Sequence, residues 1–280
     1  MSSQLMMLAI VPGLLIILYV YRKDKVEKEP RRLIVKLLIF GALSCIPAVI
    51  AEMYVDDHFI SYDSQLSWAL SNAFICAALC EELSKFALLY LGSWRNRNFD
   101  YRFDGIVYGV SVAVGFALLE NILYVADGGL ETALVRAVLA VPLHAFCGVF
   151  MGIFYGAMMK HHIDGNTGGK MKCLAGALLV PIMIHGIYDT FAFMGDGIST
   201  ILLLAFVALM YIVAIRYVNK FSREDWNAGF YRLSRDNSDA ANSSIIIQCP
   251  ACGCYLRLPS GAGKVIVTCT RCRNKFESFS

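Results

Sequence analysis

The chain has 280 residues, of which 58% are hydrophobic and only 17% are charged, and its formal net charge at pH 7 is +3. This hydrophobic fraction lies far above that of an average soluble domain, so the composition excludes an ordinary soluble protein and indicates a multi-pass membrane protein. In such a protein the positions of the basic residues are more informative than the net charge.

Seven apolar stretches are long enough to cross a bilayer, which takes about 17 to 25 helical residues. They are residues 5–21, 33–55, 66–91, 103–126, 132–159, 173–194 and 198–218. The first has no basic start and no small-residue cleavage site, so it is predicted to be an uncleaved anchor. The predicted fold class is an all-α polytopic membrane protein with about seven transmembrane helices and a small C-terminal β zinc ribbon.

Basic residues occur in every second connection between these stretches. The connections with Lys and Arg are 22–32, 92–102 and 160–172. Those without Lys or Arg are 56–65, 127–131 and 195–197. By the positive-inside rule, we expect a plasma-membrane protein with its N-terminus outside and its C-terminus in the cytoplasm.

The composition changes after the seventh stretch, so residues 1–218 are predicted to form the membrane domain. Residues 219–244 are polar and are predicted to be a juxtamembrane linker that begins with an interfacial segment around Trp226 and Phe230. Residues 245–280 contain two C-x-x-C pairs with 16 residues between them: Cys249 and Cys252, then Cys269 and Cys272. This spacing matches tetrahedral zinc sites.

The tail is therefore predicted to be a zinc ribbon, with the stretches "YLRL" and "KVIVT" forming a hairpin between the two cysteine turns. Two disulfides are the alternative, which a reducing cytoplasm disfavours. Cys254 is left as a spare thiol. A ribbon is a fold and not a function, and it could bind a partner, bind nucleic acid or only cap the tail. Few aromatic residues and a modest basic excess favour a cytoplasmic protein partner over nucleic acid.

The charged residues within the apolar stretches include Glu81, Glu82, Lys85, Glu120 and Asp189. Each would cost about 3 kcal/mol if it faced lipid, so we expect them to face one another. Helical spacing supports this expectation, because Lys85 lies three and four residues after the two glutamates of its own stretch.

Two histidines extend this polar set. His185 lies four residues before Asp189 on one helix face, and His144 begins a four-residue repeat with Gly148, Gly152 and Gly156. Glycines in that pattern allow another helix backbone to approach closely. Counting along the helices brings the polar groups of four helices to overlapping depths, which predicts one shared site.

Four motifs carry a family resemblance: "EELSK" (81–85), "FALLEN" (116–121), "HAFCG" (144–148) and "HGIYD" (185–189). In this order, each on its own helix, they resemble the motif set of the PrsW family of intramembrane proteases, over roughly residues 30–195. The family is similar to the type II CAAX prenyl endopeptidases and the bacteriocin-processing membrane enzymes. The resemblance implies an intramembrane peptidase with a membrane-anchored protein substrate, in the manner of the first cut in an anti-sigma factor. The zinc tail lies outside the family's usual core.

Peptide hydrolysis in a membrane needs a water, a base and donors for the oxyanion. Glu81 is the predicted general base, with Glu82 as the alternative and Lys85 offsetting their charge. His144 and His185 would hold the water or the oxyanion, Asp189 would orient His185, and Glu120 would complete the polar shell. Glu82, Glu120, His144 and His185 are also plausible zinc ligands. The sequence lacks H-E-x-x-H, which favours metal-free chemistry but leaves the metal open.

Two other functions remain compatible with intramembrane charges. A proton-coupled transporter would also carry acidic, basic and imidazole groups near the midplane, although no internal repeat is evident. The second alternative function is that of an inactive scaffold that signals through the ribbon.

Because the polar set reaches toward the outer half of the membrane, a peptidase is expected to cut near the extracytoplasmic side of its substrate.

Overall fold

The computed structural model describes residues 2–25, 28–60, 62–224, 244–259, 264–269 and 271–279. The helices are α1 (Ser3–Lys23), α2 (Arg31–Phe59), α3 (Gln65–Ser71), α4 (Leu79–Ser93), α5 (Arg102–Val138), α6 (Ala140–Ile163), α7 (Thr167–Met194) and α8 (Gly197–Glu224). The strands are β1 (Ser244–Gln248), β2 (Tyr255–Pro259), β3 (Lys264–Thr268) and β4 (Lys275–Phe279). Helix α8 continues into the predicted linker, whose residues Trp226 and Phe230 lie outside the described residues.

Five helical stretches of the described chain are long and apolar enough to cross a membrane. One of them, Arg102–Ile163, contains both α5 and α6, which pack against each other as antiparallel neighbours. Helices α3 and α4, joined by a π-helical segment, form a further stretch of membrane-spanning length that carries the charges of "EELSK". The all-α polytopic fold class is therefore confirmed, with seven crossing stretches across the described ranges.

Glycines set the contact between α5 and α6. A Cβ added to Gly109 would lie 2.4 Å from the carbonyl oxygen of Gly148, and one added to Gly105 would lie 2.5 Å from that of Gly152. Any side chain at these positions would push the two backbones apart, so the close approach predicted for the α6 glycine stripe is confirmed. The partner residue numbers fall as those of α5 rise, which is the antiparallel arrangement.

The connection between α5 and α6 differs from the predicted loop 127–131. Helix α5 bends at Gly129, whose φ of 69° favours glycine, and residues 130–138 form a further helical piece. The crossing helix α6 begins at Ala140, eight residues later than the predicted stretch. Pro142 explains the break, because it cannot donate a hydrogen bond to the carbonyl of Val138. The hydroxyl of Tyr211 donates to that carbonyl instead, at 3.1 Å.

The third crossing stretch is interrupted by a π-helical segment, Asn72–Ala78, which sequence reasoning did not predict. Such segments occur within α-helices and are frequent at functional sites. Here the segment ends one turn before "EELSK", so it sets the rotation at which that motif enters the bundle.

The strand pairing of the tail corrects the sequence prediction. Strand β1 pairs with β2, and β3 pairs with β4, each pair being antiparallel. The predicted hairpin between "YLRL" and "KVIVT" is wrong, because each C-x-x-C turn is itself a tight reversal whose flanking strands pair with each other. Gly253 and Arg273, with φ of 69° and 59°, complete the two turns.

Candidate active site

Helix α4 brings the three charged residues of "EELSK" into the interior of the bundle. Glu82 and Lys85 are fully buried, and Glu81 is 7% exposed. Nζ of Lys85 donates to Oε2 of Glu81 and to Oε1 of Glu82, each at 2.8 Å. The ring of Phe116 from "FALLEN" lies over the same ammonium, 3.9 Å from ring centre to Nζ. Lys85 therefore offsets part of the carboxylate charge inside the bundle, where an unpaired charge would be costly.

His144 of α6 connects this group to α5. Nζ of Lys85 lies 3.0 Å from Nδ1 of His144, and Nε2 of His144 lies 2.8 Å from Oε2 of Glu120. Because an ammonium can only donate, Nδ1 accepts and the ring proton sits on Nε2, which donates to Glu120. His144 is thus held as one defined tautomer.

His185 of α7 contacts the same group of charges through Glu82. Its Nδ1 lies 2.9 Å from Oε1 of Glu82, and its Nε2 lies 3.3 Å from Oδ2 of Asp189. The rings of His144 and His185 are 5.2 Å apart and almost perpendicular. Nδ1 of each histidine lies 3.9 Å from Oε2 of Glu81. All seven predicted site residues are therefore brought into one contiguous cluster.

The structure adds a residue that the sequence analysis missed. Nη2 of Arg136, in the helical piece after Gly129, lies 2.8 Å from Oε2 of Glu120. Its Nε donates to Oδ1 of Asn121 at 3.0 Å, and Asn121 in turn donates to the carbonyl of Ala9 in α1. Arg136 falls near the start of the predicted fifth span, and its basic charge inside an apolar stretch was the signal available in the sequence.

The ionic contacts of the cluster leave it negatively charged. Four carboxylates take part, those of Glu81, Glu82, Glu120 and Asp189. Two permanent cations oppose them, Lys85 and Arg136. Four negative charges less two positive charges leave two, which two protons or one divalent cation would balance.

The residues present fit a divalent cation. Ligand atoms of Glu81, Glu82, His144 and His185 lie within 4.8 Å of one another. Each histidine points Nδ1 at the shared centre and is held through Nε2 by an outer carboxylate, which is the usual support of a metal-binding imidazole. Oε2 of Glu82 is buried with no hydrogen-bond partner, and a cation would satisfy it. Glu120 binds His144 from the outer side and does not belong to this ligand set.

The four tail cysteines form a second group of potential metal ligands. Sγ of Cys249 lies 3.7 Å from Sγ of Cys272, and Sγ of Cys252 lies 3.7 Å from Sγ of Cys269. Two sulfurs on one tetrahedral zinc ion are about 3.8 Å apart, whereas bonded sulfurs are about 2.05 Å apart. The geometry fits zinc and not a disulfide pair.

Charge and backbone contacts in the tail also favour a metal. A hydrogen bond from the backbone N–H of Cys272 lowers the pKa of Cys269 to about 6, which favours the thiolate form that binds a metal. Cys254, predicted to be a spare thiol, is buried with its Sγ 3.2 Å from Sγ of Cys269. It therefore lies against the cluster and outside the predicted set of four.

Known proteins are similar to this chain over most of its length. Residues 29–216 match the family described as PrsW family intramembrane metalloprotease. A protein named Protease PrsW from Oceanobacillus iheyensis is 36% identical over 230 residues, covering 82% of this chain and 94% of that protein. Proteins with the same name from Bacillus subtilis and Clostridioides difficile are 35% and 27% identical over 64% and 84% of this chain, and 78% and 98% of their own lengths. No solved structure matches.

Proposed function

This chain belongs to the PrsW family of intramembrane proteases, and from that premise we propose that it hydrolyses a peptide bond of a membrane-anchored protein near the extracytoplasmic side. Water activated by Glu81 is the nucleophile. The observation that carries the proposal is the convergence of two glutamates and two histidine Nδ1 atoms from three helices within 4.8 Å. An anti-sigma factor is the kind of substrate that the family resemblance implies.

Glu82, His144 and His185 are proposed to hold a divalent cation such as zinc, and two histidines with one carboxylate form a common catalytic ligand set. When bound, the cation supplies Lewis-acid polarisation of the attacking water and of the scissile carbonyl. Glu82 suits the role of ligand because it is fully buried and its Oε2 lacks a partner. Because Nδ1 of His144 has one lone pair, the cation would replace its contact with Lys85, which would keep its contacts with the Glu81 and Glu82 carboxylates.

Glu81 is proposed as the general base because it is the more accessible of the two glutamates and faces both histidines. It takes a proton from water as the water oxygen attacks the carbonyl carbon. The same carboxylic acid then gives the proton to the amine nitrogen as the carbon–nitrogen bond breaks. Glu120 and Asp189 keep the two imidazoles in their orientation through Nε2.

The extracytoplasmic position of the cut is supported by the side on which the cluster is accessible. Glu120, Arg136 and Asp189 are partly exposed, whereas Glu82, Lys85 and both histidines are buried. The exposed members lie toward Gly129 and Gly195, at the end of the bundle opposite the basic connections. With those connections in the cytoplasm, the accessible end faces outward.

The purified full chain in proteoliposomes with a single-pass membrane-anchored reporter tests the activity. We expect cleavage by the wild type and a loss of at least about a hundredfold in Glu81→Gln, because general-base catalysis contributes that much or more. Glu131→Gln is the matched control, since Glu131 is exposed and outside the cluster, and it should cleave at the wild-type rate. Equal cleavage by Glu81→Gln and the wild type would disprove the assignment of the base.

A further inference from the structure

A basic pocket lies where the ends of α1 and α8 meet, away from the catalytic cluster. Its volume is about 350 Å³, and Lys23, Lys25, Asn219, Ser222 and Arg223 line it. Nζ of Lys23 donates to Oδ1 of Asn219 at 2.5 Å, and the hydroxyl of Ser222 donates to the carbonyl of Lys23. These contacts tie α1 to α8 and hold cationic and neutral donors around one space.

Two acidic residues of the described chain, Asp24 and Glu224, neighbour the pocket in sequence, and neither lines it. The carboxylate of Asp24 is buried and accepts a hydrogen bond from the backbone N–H of Glu29 at 3.3 Å. Glu224 pairs with Lys220, at 3.8 Å between Nζ and Oε1, and neither residue lines the pocket. Three positive side chains therefore line a polar space, and none of the described residues in its lining carries a carboxylate.

An apolar groove of about 250 Å³ begins one turn further into the bundle, between α1, α6 and α8. Val20 of α1 and Val218 of α8 line its end nearest the basic pocket, and Val149 of α6 lines its floor. The groove continues along α1 to Leu15 and along α8 to Tyr211, and its walls are almost wholly apolar. Because α1 and α8 line both spaces, the pocket and the groove are neighbours along these two helices, and together they are called the path.

We propose that this path binds an anionic phospholipid, with its phosphate in the basic pocket and an acyl chain in the apolar groove. Charge complementarity identifies the occupant: a basic pocket at the membrane surface attracts an anionic headgroup, whereas the groove beside it accepts only hydrocarbon. A transmembrane helix would fill the groove but would leave the three cations without a counter-charge. Free phosphate would fill the pocket but would not use the groove.

Two variants and a control separate these occupants in the full chain. The double variant Lys23→Gln/Arg223→Gln removes charge at partly exposed and exposed positions, so it should fold. Ala214→Leu narrows the groove and leaves the basic residues in place, because Ala214 is a buried lining residue. Lys220→Gln is the matched control, since Lys220 is a basic residue of the same helix end that lines neither space.

The measurements are native mass spectrometry of the protein released from nanodiscs and its thermal unfolding. The nanodiscs contain phosphatidylcholine alone or phosphatidylcholine with phosphatidylglycerol, and inorganic phosphate is added to detergent-solubilised protein as a separate probe. We expect the wild type and Lys220→Gln to retain phosphatidylglycerol and to unfold at a higher temperature in its presence. The double variant should bind it on the order of tenfold more weakly, and Ala214→Leu should also lose it.

Three results would overturn the proposal. Equal retention by the wild type and the double variant would show that the cations do not hold the headgroup. Retention of phosphatidylglycerol by Ala214→Leu, with stabilisation by inorganic phosphate, would indicate a free phosphate site. If the wild type showed no preference for phosphatidylglycerol over phosphatidylcholine, the bound lipid would be non-specific boundary lipid.

Discussion

At the residue scale, Lys85 is the group on which the buried charges of the cluster depend. It is fully buried and contacts Glu81, Glu82 and His144 at once. Without its charge, two adjacent carboxylates would stay inside the bundle with no counter-ion, and such uncompensated burial is strongly destabilising. The same ammonium fixes the tautomer of His144, so Lys85 contributes both to the stability of the fold and to the chemistry of the site.

The metal content of the full chain tests the proposed ligands. X-ray absorption of the purified protein should show a sulfur shell from the tail and a nitrogen and oxygen shell from the membrane site. The double variant Cys269→Ser/Cys272→Ser should lose the sulfur shell only. Adding His185→Ala to this variant should then remove the nitrogen and oxygen shell as well. If the ribbon variant retains protease activity but binds no metal, Glu81 and the histidines work without one.

Arg136 is predicted to be a positioning residue that acts through Glu120 on His144. Arg136→Gln should lower kcat on the order of tenfold to a hundredfold, as is typical for outer partners of a ligating histidine, with little change in KM. Arg136→Lys keeps the charge but cannot contact Glu120 and Asn121 with the same fork, so an intermediate loss is expected. A changed pH profile would accompany these losses. If a lower unfolding temperature accounted for the whole loss of kcat, Arg136 would have a structural role and not a positioning role.

At the element scale, the sequence predicts helices better than the breaks within them. The lengths of the apolar stretches located the membrane crossings, because membrane thickness sets how many helical residues a crossing needs. The π-helical segment Asn72–Ala78 and the bend at Gly129 were missed, since both depend on how helices pack together. The strand pairing of the tail was wrong because the turn geometry, and not the strand composition, decides which strands meet.

The connection between α1 and α2 contains a buried carboxylate whose ionisation should affect stability. Burial against the first turns of α5 raises the pKa of Glu29 to about 8, and the nearby Asp24 carboxylate adds to this effect. The folded protein thus holds this proton more tightly than the unfolded chain. The stabilisation that this proton provides is fully present below about pH 4.5. It is lost as the pH rises toward 8, which lowers the free energy of unfolding by an amount on the order of a few kcal/mol.

Replacing Glu29 by Gln should remove this pH dependence. Thermal unfolding of the wild type should fall to lower temperature between about pH 5 and pH 8, whereas Glu29→Gln should change less over the same range. Glu131→Gln, an exposed carboxylate, serves as the matched control and should follow the wild type. Parallel curves for the wild type and Glu29→Gln would contradict the prediction.

At the scale of the whole molecule, the cost of charge in a membrane made the site predictable. Seven residues from four apolar stretches were expected to share one site, and their side chains do contact one another. Their chemical roles stay predictions. Arg136 could not be assigned in advance, because its contact with Glu120 depends on the bend at Gly129, which returns the helical piece 130–138 toward the cluster.

The ends of the membrane-anchored products test the central claim most directly. Mass spectrometry of the reporter after incubation with the full chain should find one new pair of termini, within the membrane-anchored segment near its extracytoplasmic end. Glu81→Gln should produce neither terminus. A cut on the cytoplasmic flank, or the same termini from Glu81→Gln, would contradict hydrolysis at this cluster.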